Sequence, residues 1–560
     1  MGRASFASVK EEEKIKREER LNVQKRRNKK AGIREHNWTR ENSRGPLLDM
    51  RMEMYQQQLE KSKSSMHRNP LSVLSKKDSK EFNNVKNSLK TVIAFTKGQF
   101  TNKPTENEKM LRDAAKAYSK LLEACEIYLA KSGGKHSAGK ERKDNVKFIH
   151  ELAQEDYAGI HQKYHEMKKM PAEQQGKLDW QDILFSGREI SLEVGNLEDK
   201  DYFKKLGSGS KGGDGASYLM KGTGVFTKES KTQNYDGISG NVTGIAAAFA
   251  SKGKSNIFLG NEINVTNRNV ATSRMAALLG LSGIVAESKN VKVHDRTTNS
   301  TYRGNMMEFA EGKEAYDVGM EFAEKNKVNK IKNLEERGKI AAGKITPGVQ
   351  KELCALQILD YICGQGDRSQ ANYFLQKNAE EQLIGVKAID NDMSFGSGVD
   401  LKEGKGAGYL GGIMEEGADG KLEITMPYMD QQLAKNIINL KEEEVIFALE
   451  DLISPGMIEL TLRRLRKTKE AVVNSQKNNP EIFVENWDDE RANERAMEMF
   501  ENSHIMLYEN DKKRNQEKNV SDWKYRKKDT YFGQLMARMA GYKGRNGGEN
   551  VFGYSFEYED

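Results

Sequence analysis

Two short loops of this sequence decide the fold: Gly-Asp-Arg-Ser-Gln-Ala-Asn from Gly366 to Asn372, and Ile-Asp-Asn-Asp-Met-Ser-Phe-Gly from Ile389 to Gly396. The first loop follows a run whose apolar residues predict a helix from Gln350 to Cys363. The second follows a predicted strand from Leu383 to Ile389. Carboxylate and amide side chains thus stand in loops at the ends of regular elements, where binding and catalytic residues are common.

These two loops resemble the catalytic and metal-binding loops of the protein-kinase-like superfamily. The branches with the nearest pattern are the phosphatidylinositol 3-/4-kinase-like enzymes, the bacterial HipA-type kinases and the secretory-pathway Golgi kinases. The similarity covers residues 207–473, about half of the chain. It implies an α+β, two-lobed, protein-kinase-like fold, with ATP and Mg²⁺ as cofactors and Mn²⁺ as a substitute for Mg²⁺.

The resemblance gives each loop residue a role in phosphoryl transfer, which needs in-line positioning and metal ions held by carboxylate and amide oxygens. Asp367 and Arg368 are the candidate catalytic residues: Asp367 orients the attacking hydroxyl, and Arg368 holds the loop through carboxylate or backbone contacts. Asn372 and Asp390 are the candidate metal ligands. Asp392 is interpreted as a turn residue in preference to a third carboxylate at the metal.

A glycine-rich turn precedes these loops and is a candidate cover for the nucleotide phosphates. Leu206–Gly215 holds five glycines in ten residues between two predicted strands, and Gly207, Gly209 and Gly212 have the spacing of a phosphate-covering turn. A flexible surface linker is the alternative interpretation. No Gly-Lys-Ser/Thr follows at the required interval, so the pattern disfavours a P-loop nucleotidase.

Lys228 ends the predicted strand Gly-Val-Phe-Thr-Lys and resembles the lysine that anchors ATP in lipid-kinase-like enzymes. It stands one residue out of register with that pattern. Because side chains alternate between the faces of a strand, such a slip turns the amine away from the nucleotide unless a bulge intervenes. Lys221 is the second candidate for the same role.

The helix predicted after this strand, Asn269–Gly280, begins with an asparagine where the resemblance implies a glutamate that pairs with the lysine. Glu262 or Glu287 could take that place. Because this carboxylate is missing, a catalytically silent relative of the kinases is an alternative interpretation.

Further along, Met306–Ala310 is predicted to connect the two lobes, with backbone groups of Glu308, Phe309 and Ala310 meeting the adenine ring.

The patterns predict five regions along the chain. Amphipathic helical periodicity at Met110–Leu129 and Asp144–Lys168 marks a helical domain, and alternating strand patterns begin near Glu189. The predicted regions are a basic mobile arm (1–45), the helical domain (46–184), a sheet-rich N-lobe (185–312), a helical C-lobe (313–475) and a helical C-terminal segment (476–560).

Composition limits the partners and the compartment. The first 100 residues hold 24 Lys and Arg against 12 Asp and Glu, but the two signs are interspersed, which disfavours a dedicated nucleic-acid surface. Three cysteines without CxxC spacing favour a reducing compartment. No run of apolar residues is long enough to predict a membrane span or a signal peptide. The sequence therefore predicts a cytoplasmic protein, with export by a specialised secretion system left open.

The function predicted from these features is transfer of the γ-phosphoryl group of ATP to a hydroxyl acceptor, with protein favoured over lipid or small molecule. A second interpretation is transfer of AMP by an enzyme of the same fold, because one fold hosts several chemistries. A third is a catalytically silent pseudokinase or scaffold.

Overall fold

The computed structural model divides the chain into two compact units, Met1–Gly187 and Arg188–Asp560. The boundary predicted from the sequence stands after residue 184. The predicted basic arm at 1–45 lies outside the described residues. The residues that the structure describes are 51–59, 80–131, 137–168, 170–184, 190–194, 203–206, 217–220, 224–228, 265–295, 297, 299–365, 368–392, 394–395, 413–503, 506 and 529–542.

The first unit is helical where it is described. Its helices are α1 (Lys80–Phe95), α2 (Pro104–Lys131), α3 (Ser137–Met167) and the short α4 (Ala172–Gln175) and α5 (Trp180–Leu184), and residues 51–59 are also helical. Apolar residues recur every three or four positions in α1 and α2, so that each presents one buried face. The helix predicted at Met110–Leu129 lies inside α2, and the one predicted at Asp144–Lys168 largely coincides with α3.

A buried ion pair fixes residues 51–59 against this helical unit. The Nε atom of Arg51 donates to Oδ1 of Asp156 over 2.9 Å, while Oδ2 of Asp156 accepts from the hydroxyls of Tyr55 (2.7 Å) and Tyr118 (3.2 Å). Burial raises the pKa of Asp156, and the partners that surround it oppose that rise. All four side chains are buried, so this polar cluster is a structural anchor.

A six-stranded sheet opens the second unit. Its strands are β1 (Ile190–Val194), β2 (Phe203–Leu206), β3 (Ser217–Met220), β4 (Gly224–Lys228), β5 (Ser288–Asp295) and β6 (Ser300–Met307), in the order β1-β5-β6-β4-β3-β2. β1 runs parallel to β5, and the other neighbours are antiparallel. The sequence of Ala216–Lys228 predicts two short strands around a glycine turn, and they are present as the β3–β4 hairpin, in which Met220 pairs with Gly224.

The rest of the second unit is mainly helical, with small sheets between the helices. Its helices are α6 (Val265–Leu278), α7 (Ala315–Lys325), α8 (Leu334–Ala342), α9 (Pro347–Cys363), α10 (Gln431–Asn439), α11 (Glu442–Leu449), α12 (Pro455–Asn478), α13 (Ala492–Glu501) and α14 (Tyr531–Met539). Its strands are β7 (Lys313–Glu314), β8 (Tyr373–Lys377) and β9 (Leu383–Ala388) in one antiparallel sheet, β10 (Met414–Glu416) with β11 (Leu422–Ile424), and β12 (Met429–Asp430) with β13 (Phe483–Val484). The α+β class predicted from the sequence is therefore confirmed.

Helix α9 is the centre of this unit and delivers the chain to the first loop. Twelve of its seventeen residues are buried, so the helix is enclosed on nearly every side. Pro347 occupies its first turn, and Gly364 ends it in the left-handed conformation with φ of 64°. A Cβ atom at Gly364 would stand 2.7 Å from the guanidinium of Arg464, so glycine is required there for space as well as for φ.

The three cysteines are buried free thiols. Burial raises the pKa of Cys125 and of Cys354 to about 12, and it raises the pKa of Cys363 as well. Because the thiolate is the reactive form, we expect the folded protein not to react with a disulfide reagent at about pH 8. All three thiols should react after unfolding in guanidinium. Fast labelling of Cys354 or Cys363 in the folded protein would contradict their burial.

Among the described helices, none has an apolar stretch of the length needed to cross a membrane.

Candidate functional site

The two candidate metal ligands lie at the same end of the β8–β9 hairpin. Asn372 immediately precedes β8 and Asp390 follows β9 by one residue. Tyr373 pairs with Ala388, and the backbone N–H of Ile389 donates to the carbonyl of Asn372 over 3.0 Å. The hairpin therefore holds the ends of both loops side by side, although they are eighteen residues apart along the chain.

The second loop contains strained backbone. Asp390 has φ of 54° and Phe395 has φ of 67°, in the left-handed region that side chains other than glycine rarely occupy. Asp tolerates this conformation better than most residues do, whereas the aromatic Phe395, which is fully buried, does not. Strain of about 1–3 kcal/mol at each such residue persists only where surrounding contacts impose it, and it is concentrated at functional sites.

Arg368 links the two loops to each other and to α9. Its Nη1 atom donates to the carbonyls of Asn372 (2.7 Å) and Ile389 (2.5 Å), and Nη2 donates to Oδ1 of Asn391. The Nε and Nη2 atoms also form a bidentate pair with the carboxylate of Asp360, at 2.9 and 3.1 Å. An arginine has five N–H donors, and these five bonds use all of them. No donor of Arg368 therefore remains for a phosphate.

The Asp360–Arg368 pair is completely buried, which makes its geometry exacting. Both side chains have no exposed surface. Burial raises the pKa of Asp360, while the neighbouring guanidinium acts in the opposite direction. A buried charge pair is retained only where hydrogen bonds satisfy its remaining donors and acceptors, as they do here. The pair therefore fixes α9 and both loops in one arrangement.

The end of α9 holds the second loop by two further bonds. The side-chain amide of Gln365 donates to the carbonyl of Asp390 over 3.1 Å. The backbone N–H of Phe395 donates to the carbonyl of Cys363 over 2.5 Å. The strained residues Asp390 and Phe395 are thus the ones that α9 and the residues following it restrain directly.

Helix α6 holds the opposite side of the second loop. Oδ1 of Asn269 accepts from the backbone N–H of Asn391 over 2.8 Å. Nη1 of Arg268 donates to the carbonyl of Ser394 over 2.8 Å, and the hydroxyls of Thr272 and Ser394 are 3.2 Å apart. The three α6 side chains are buried. They replace part of the loop's hydration with directed hydrogen bonds.

The position predicted to begin α6 lies within the helix, because α6 starts at Val265. Asn269 is therefore in the second turn and contacts the Asp390–Phe395 loop, a role the sequence did not indicate. Of the two glutamates considered as partners for the lysine, Glu287 is exposed and lies 3.5 Å from the amine of Lys289. Glu262 lies outside the described residues.

Lys228 is the last residue of β4, where it pairs with Gly304 of β6. The pairing runs from Val225 to Lys228 without a register shift, so no bulge in this described stretch realigns the lysine. The one-residue offset from the family pattern therefore stands. Lys221, Asp367 and the glycines of the candidate phosphate turn, Gly207, Gly209 and Gly212, lie outside the described residues.

The predicted connector, Met306–Ala310, begins with the last two residues of β6 and continues beyond the strand. The backbone N–H of Glu308 donates to the carbonyl of Glu287 over 2.8 Å, and its carboxylate pairs with the amine of Lys387 on β9 at 3.2 Å. Glu308 therefore joins the six-stranded sheet to the β8–β9 hairpin. The side chain of Phe309 is 50% exposed, and Ala310 is buried.

The side chains at the hairpin end carry oxygen ligands of the type that a hard divalent cation binds. One carboxylate and one amide oxygen are ligands that Mg²⁺ accepts, and it completes its shell with water and phosphate oxygens. Within the described part of the chain, no group of three or more His, Cys, Asp and Glu side chains is placed to hold a metal.

Several residues that build the site were missed from the sequence. Asp360 carried the clearest signal, because it is the one charged residue in the mostly apolar stretch Leu353–Cys363 of α9 and so required a buried partner. Arg268 and Gln365 gave no comparable signal, since polar residues near loops are common.

A scan of the sequence against models of known protein families gave no match, and a search of curated proteins found no similar chain.

Proposed function

We propose that this protein is a Mg²⁺-dependent kinase that transfers the γ-phosphoryl group of ATP to a hydroxyl acceptor. One observation carries the proposal: Asn372 and Asp390 lie at the same end of the β8–β9 hairpin, and Arg368 links their loops to each other by three hydrogen bonds and to α9 by two. An ordinary surface turn does not require a fully buried ion pair beneath it. An arrangement that must hold two metal ligands in a fixed geometry requires such support.

Each loop residue has a distinct task in this proposal. Asp367, the neighbour of Arg368 in the sequence, orients the hydroxyl and accepts its proton. Asn372 and Asp390 present amide and carboxylate oxygens to the cation. Bound Mg²⁺–ATP would supply the phosphoryl group and the positive charge that offsets it. The left-handed conformation of Asp390 is the strain expected at a residue whose direction is set by function.

The two-lobed arrangement belongs to the same proposal. The six-stranded sheet with α6 would form one lobe, and the helices around α9 with the β8–β9 hairpin the other. The connector after β6 joins them, and Glu308 pairs with Lys387 across that junction. In this arrangement the nucleotide lies against Phe309 and Ala310, because the N–H of Glu308 is already engaged, and its phosphates lie toward Asp390 under the glycine turn. Lys228 is given no phosphate contact, because β4 has no register shift that would return its amine to the nucleotide side.

A protein acceptor is proposed ahead of a lipid or a small molecule, because the helical unit Met1–Gly187 offers a second compact body for recognition. Transfer of AMP remains the alternative within the same fold. A catalytically silent pseudokinase is the third candidate. Asn269 favours it, because this residue stands where kinase-like sequences have a glutamate and hydrogen-bonds the Asp390–Phe395 loop instead.

Incubation of the pure protein with γ-labelled and with α-labelled ATP tests the proposal. We expect label on protein from γ-labelled ATP only; label from α-labelled ATP would indicate AMP transfer, and no label from either would contradict catalysis.

Asp367→Asn should lower turnover by about a thousandfold, since general-base catalysis and positioning act together. It should leave the affinity for Mg²⁺–ATP within about twofold of the original, because Asp367 is not proposed as a metal ligand.

A further inference from the structure

The C-terminal helix α14 lies in the interior of the second unit. All nine of its residues are buried. The hydroxyl of Thr530 caps it by accepting from the N–H of Gly533 over 2.9 Å. A helix with no exposed residue is part of a core and not a surface appendage.

The first residue of α14 contacts the carboxylate that holds Arg368. The hydroxyl of Tyr531 donates to Oδ2 of Asp360 over 3.1 Å, and the same oxygen accepts from Nε of Arg368. The ring of Tyr531 stacks on that of Tyr373, the residue after Asn372, with ring centroids 6.5 Å apart and planes inclined by 21°. Tyr531 therefore contacts Asp360, which supports the first loop, and Tyr373, the residue that follows that loop.

Hydrogen bonds to α9 fix Tyr531 in this position. Its backbone N–H donates to Oε1 of Gln357 over 3.2 Å, and Nε2 of Gln357 donates to the carbonyl of Asp529 over 2.9 Å. Gln357 is one helical turn before Asp360. The two turns of α9 that support the first loop are thus joined to the start of α14.

The far end of α14 contacts the first loop itself. Nε of Arg538 donates to Oε1 of Gln370 over 3.3 Å, and the Arg538 guanidinium stands 4.5 Å from the centre of the Tyr316 ring. The N–H of Tyr316 donates to the carbonyl of Gln370 over 3.0 Å. Burial lowers the pKa of Arg538 to about 10. Helix α14 therefore supports the first loop at two places: through Asp360, which holds Arg368, and through Gln370.

We infer that α14 is a structural component of the catalytic centre and that Tyr531 is a positioning residue, which holds Asp360, and through it Arg368, in the geometry that phosphotransfer requires. This inference rests on the proposed function. Three side-chain hydrogen bonds reach the buried Asp360 carboxylate, two from Arg368 and one from Tyr531. The Tyr531 hydroxyl is thus a second donor to Oδ2, the oxygen that also accepts from Nε of Arg368.

Tyr531→Phe tests the inference by removing one oxygen atom. We expect kcat to fall about tenfold, which corresponds to the loss of one hydrogen bond to a charged group, while KM for ATP stays within about twofold. Tyr428→Phe is the matched control, because the Tyr428 hydroxyl also donates to a carboxylate, Oε2 of Glu498, over 2.6 Å, away from both loops. The control should leave kcat unchanged within about twofold even if it lowers stability.

Two further measurements separate positioning from general stability. In an Arg368→Lys background, Tyr531→Phe should lower kcat by less than about twofold, because residues that act through one another are not additive. Hydrogen exchange should be at least about tenfold faster in peptides 364–373 and 388–396 of Tyr531→Phe, and unchanged there in Tyr428→Phe.

The outcomes distinguish this inference from the proposed function. Unchanged kcat and unchanged loop exchange in Tyr531→Phe would overturn the positioning role even if the enzyme transfers phosphate. Additive losses of kcat with Arg368→Lys would overturn the route through Arg368. No transfer by the original protein would contradict the proposed function, while local loop exchange in Tyr531→Phe would still decide whether Tyr531 supports the loops.

Discussion

Asp390→Ala should abolish phosphoryl transfer and remove the effect of Mg²⁺ on ATP binding. Asp390 is the carboxylate at the hairpin end beside Asn372, and its backbone is held by Gln365 in a left-handed conformation. Loss of a carboxylate that carries a divalent cation costs several kcal/mol of charge stabilisation. We therefore expect turnover to fall by at least about a thousandfold.

Calorimetric titration with ATP, with Mg²⁺ and with a chelator, measures the binding part of this prediction. The original protein should bind ATP more tightly with Mg²⁺, and Asp390→Ala should bind equally weakly in both conditions. Asp390→Asn keeps a side chain that tolerates positive φ, so a matching loss in that variant assigns the effect to charge and not to strain. Asp419→Ala, which removes an exposed carboxylate near Lys421, is the control. Undiminished Mg²⁺–ATP affinity in Asp390→Ala would exclude it as a metal ligand.

Local patterns were sufficient for most of the elements that carry the loops. Helix α9, strand β9 and the β3–β4 hairpin coincide with their predictions, because apolar periodicity and glycine turns are set by neighbouring residues. The strand β8, Tyr373–Lys377, was not predicted, since five residues with one charged end give a weak strand signal. The parallel pairing of β1 with β5 was also not predicted, because it joins segments about a hundred residues apart and depends on tertiary contacts.

The candidate site divides in the same way. The roles expected for Asn372, Asp390 and Arg368 came from the resemblance of two short segments to the loops of kinase-like proteins. It did not indicate Tyr531, which is brought to Asp360 by 171 residues of intervening fold. Nor did it indicate that Asn269 contacts the second loop. Contacts between distant segments leave no local trace in a single sequence, and they supply much of the support for this site.

Arg368→Met should destabilise the second unit more than any other single change in the site. It leaves the Asp360 carboxylate buried without its cation, which costs about 3–5 kcal/mol in the free energy of unfolding. Pulsed thiol labelling in urea, read on separate peptides, measures this directly: Cys354 and Cys363 report on the second unit, and Cys125 reports on the first. Only the cysteines of the second unit should become accessible at lower urea concentration.

The pH dependence of this loss has a definite sign. In the folded protein burial raises the pKa of Asp360, and Arg368 opposes that rise, so removing Arg368 must raise the pKa further. A carboxyl with a raised folded pKa destabilises the protein above its unfolded pKa and ceases to do so below it. The difference in unfolding free energy between Arg368→Met and the original protein should therefore shrink as the pH falls from about 7 to about 4.

The double variant Arg368→Met with Asp360→Leu separates stability from function. It removes the unpaired charge, and apolar replacement of a buried pair is often neutral, so at least about half of the lost stability should return. Activity should not return, because the carbonyls of Asn372 and Ile389 still lack the guanidinium that links them. A double variant that regained turnover would show that the loops hold their geometry without Arg368. A single variant as stable as the original would contradict the buried pair as the support of the site.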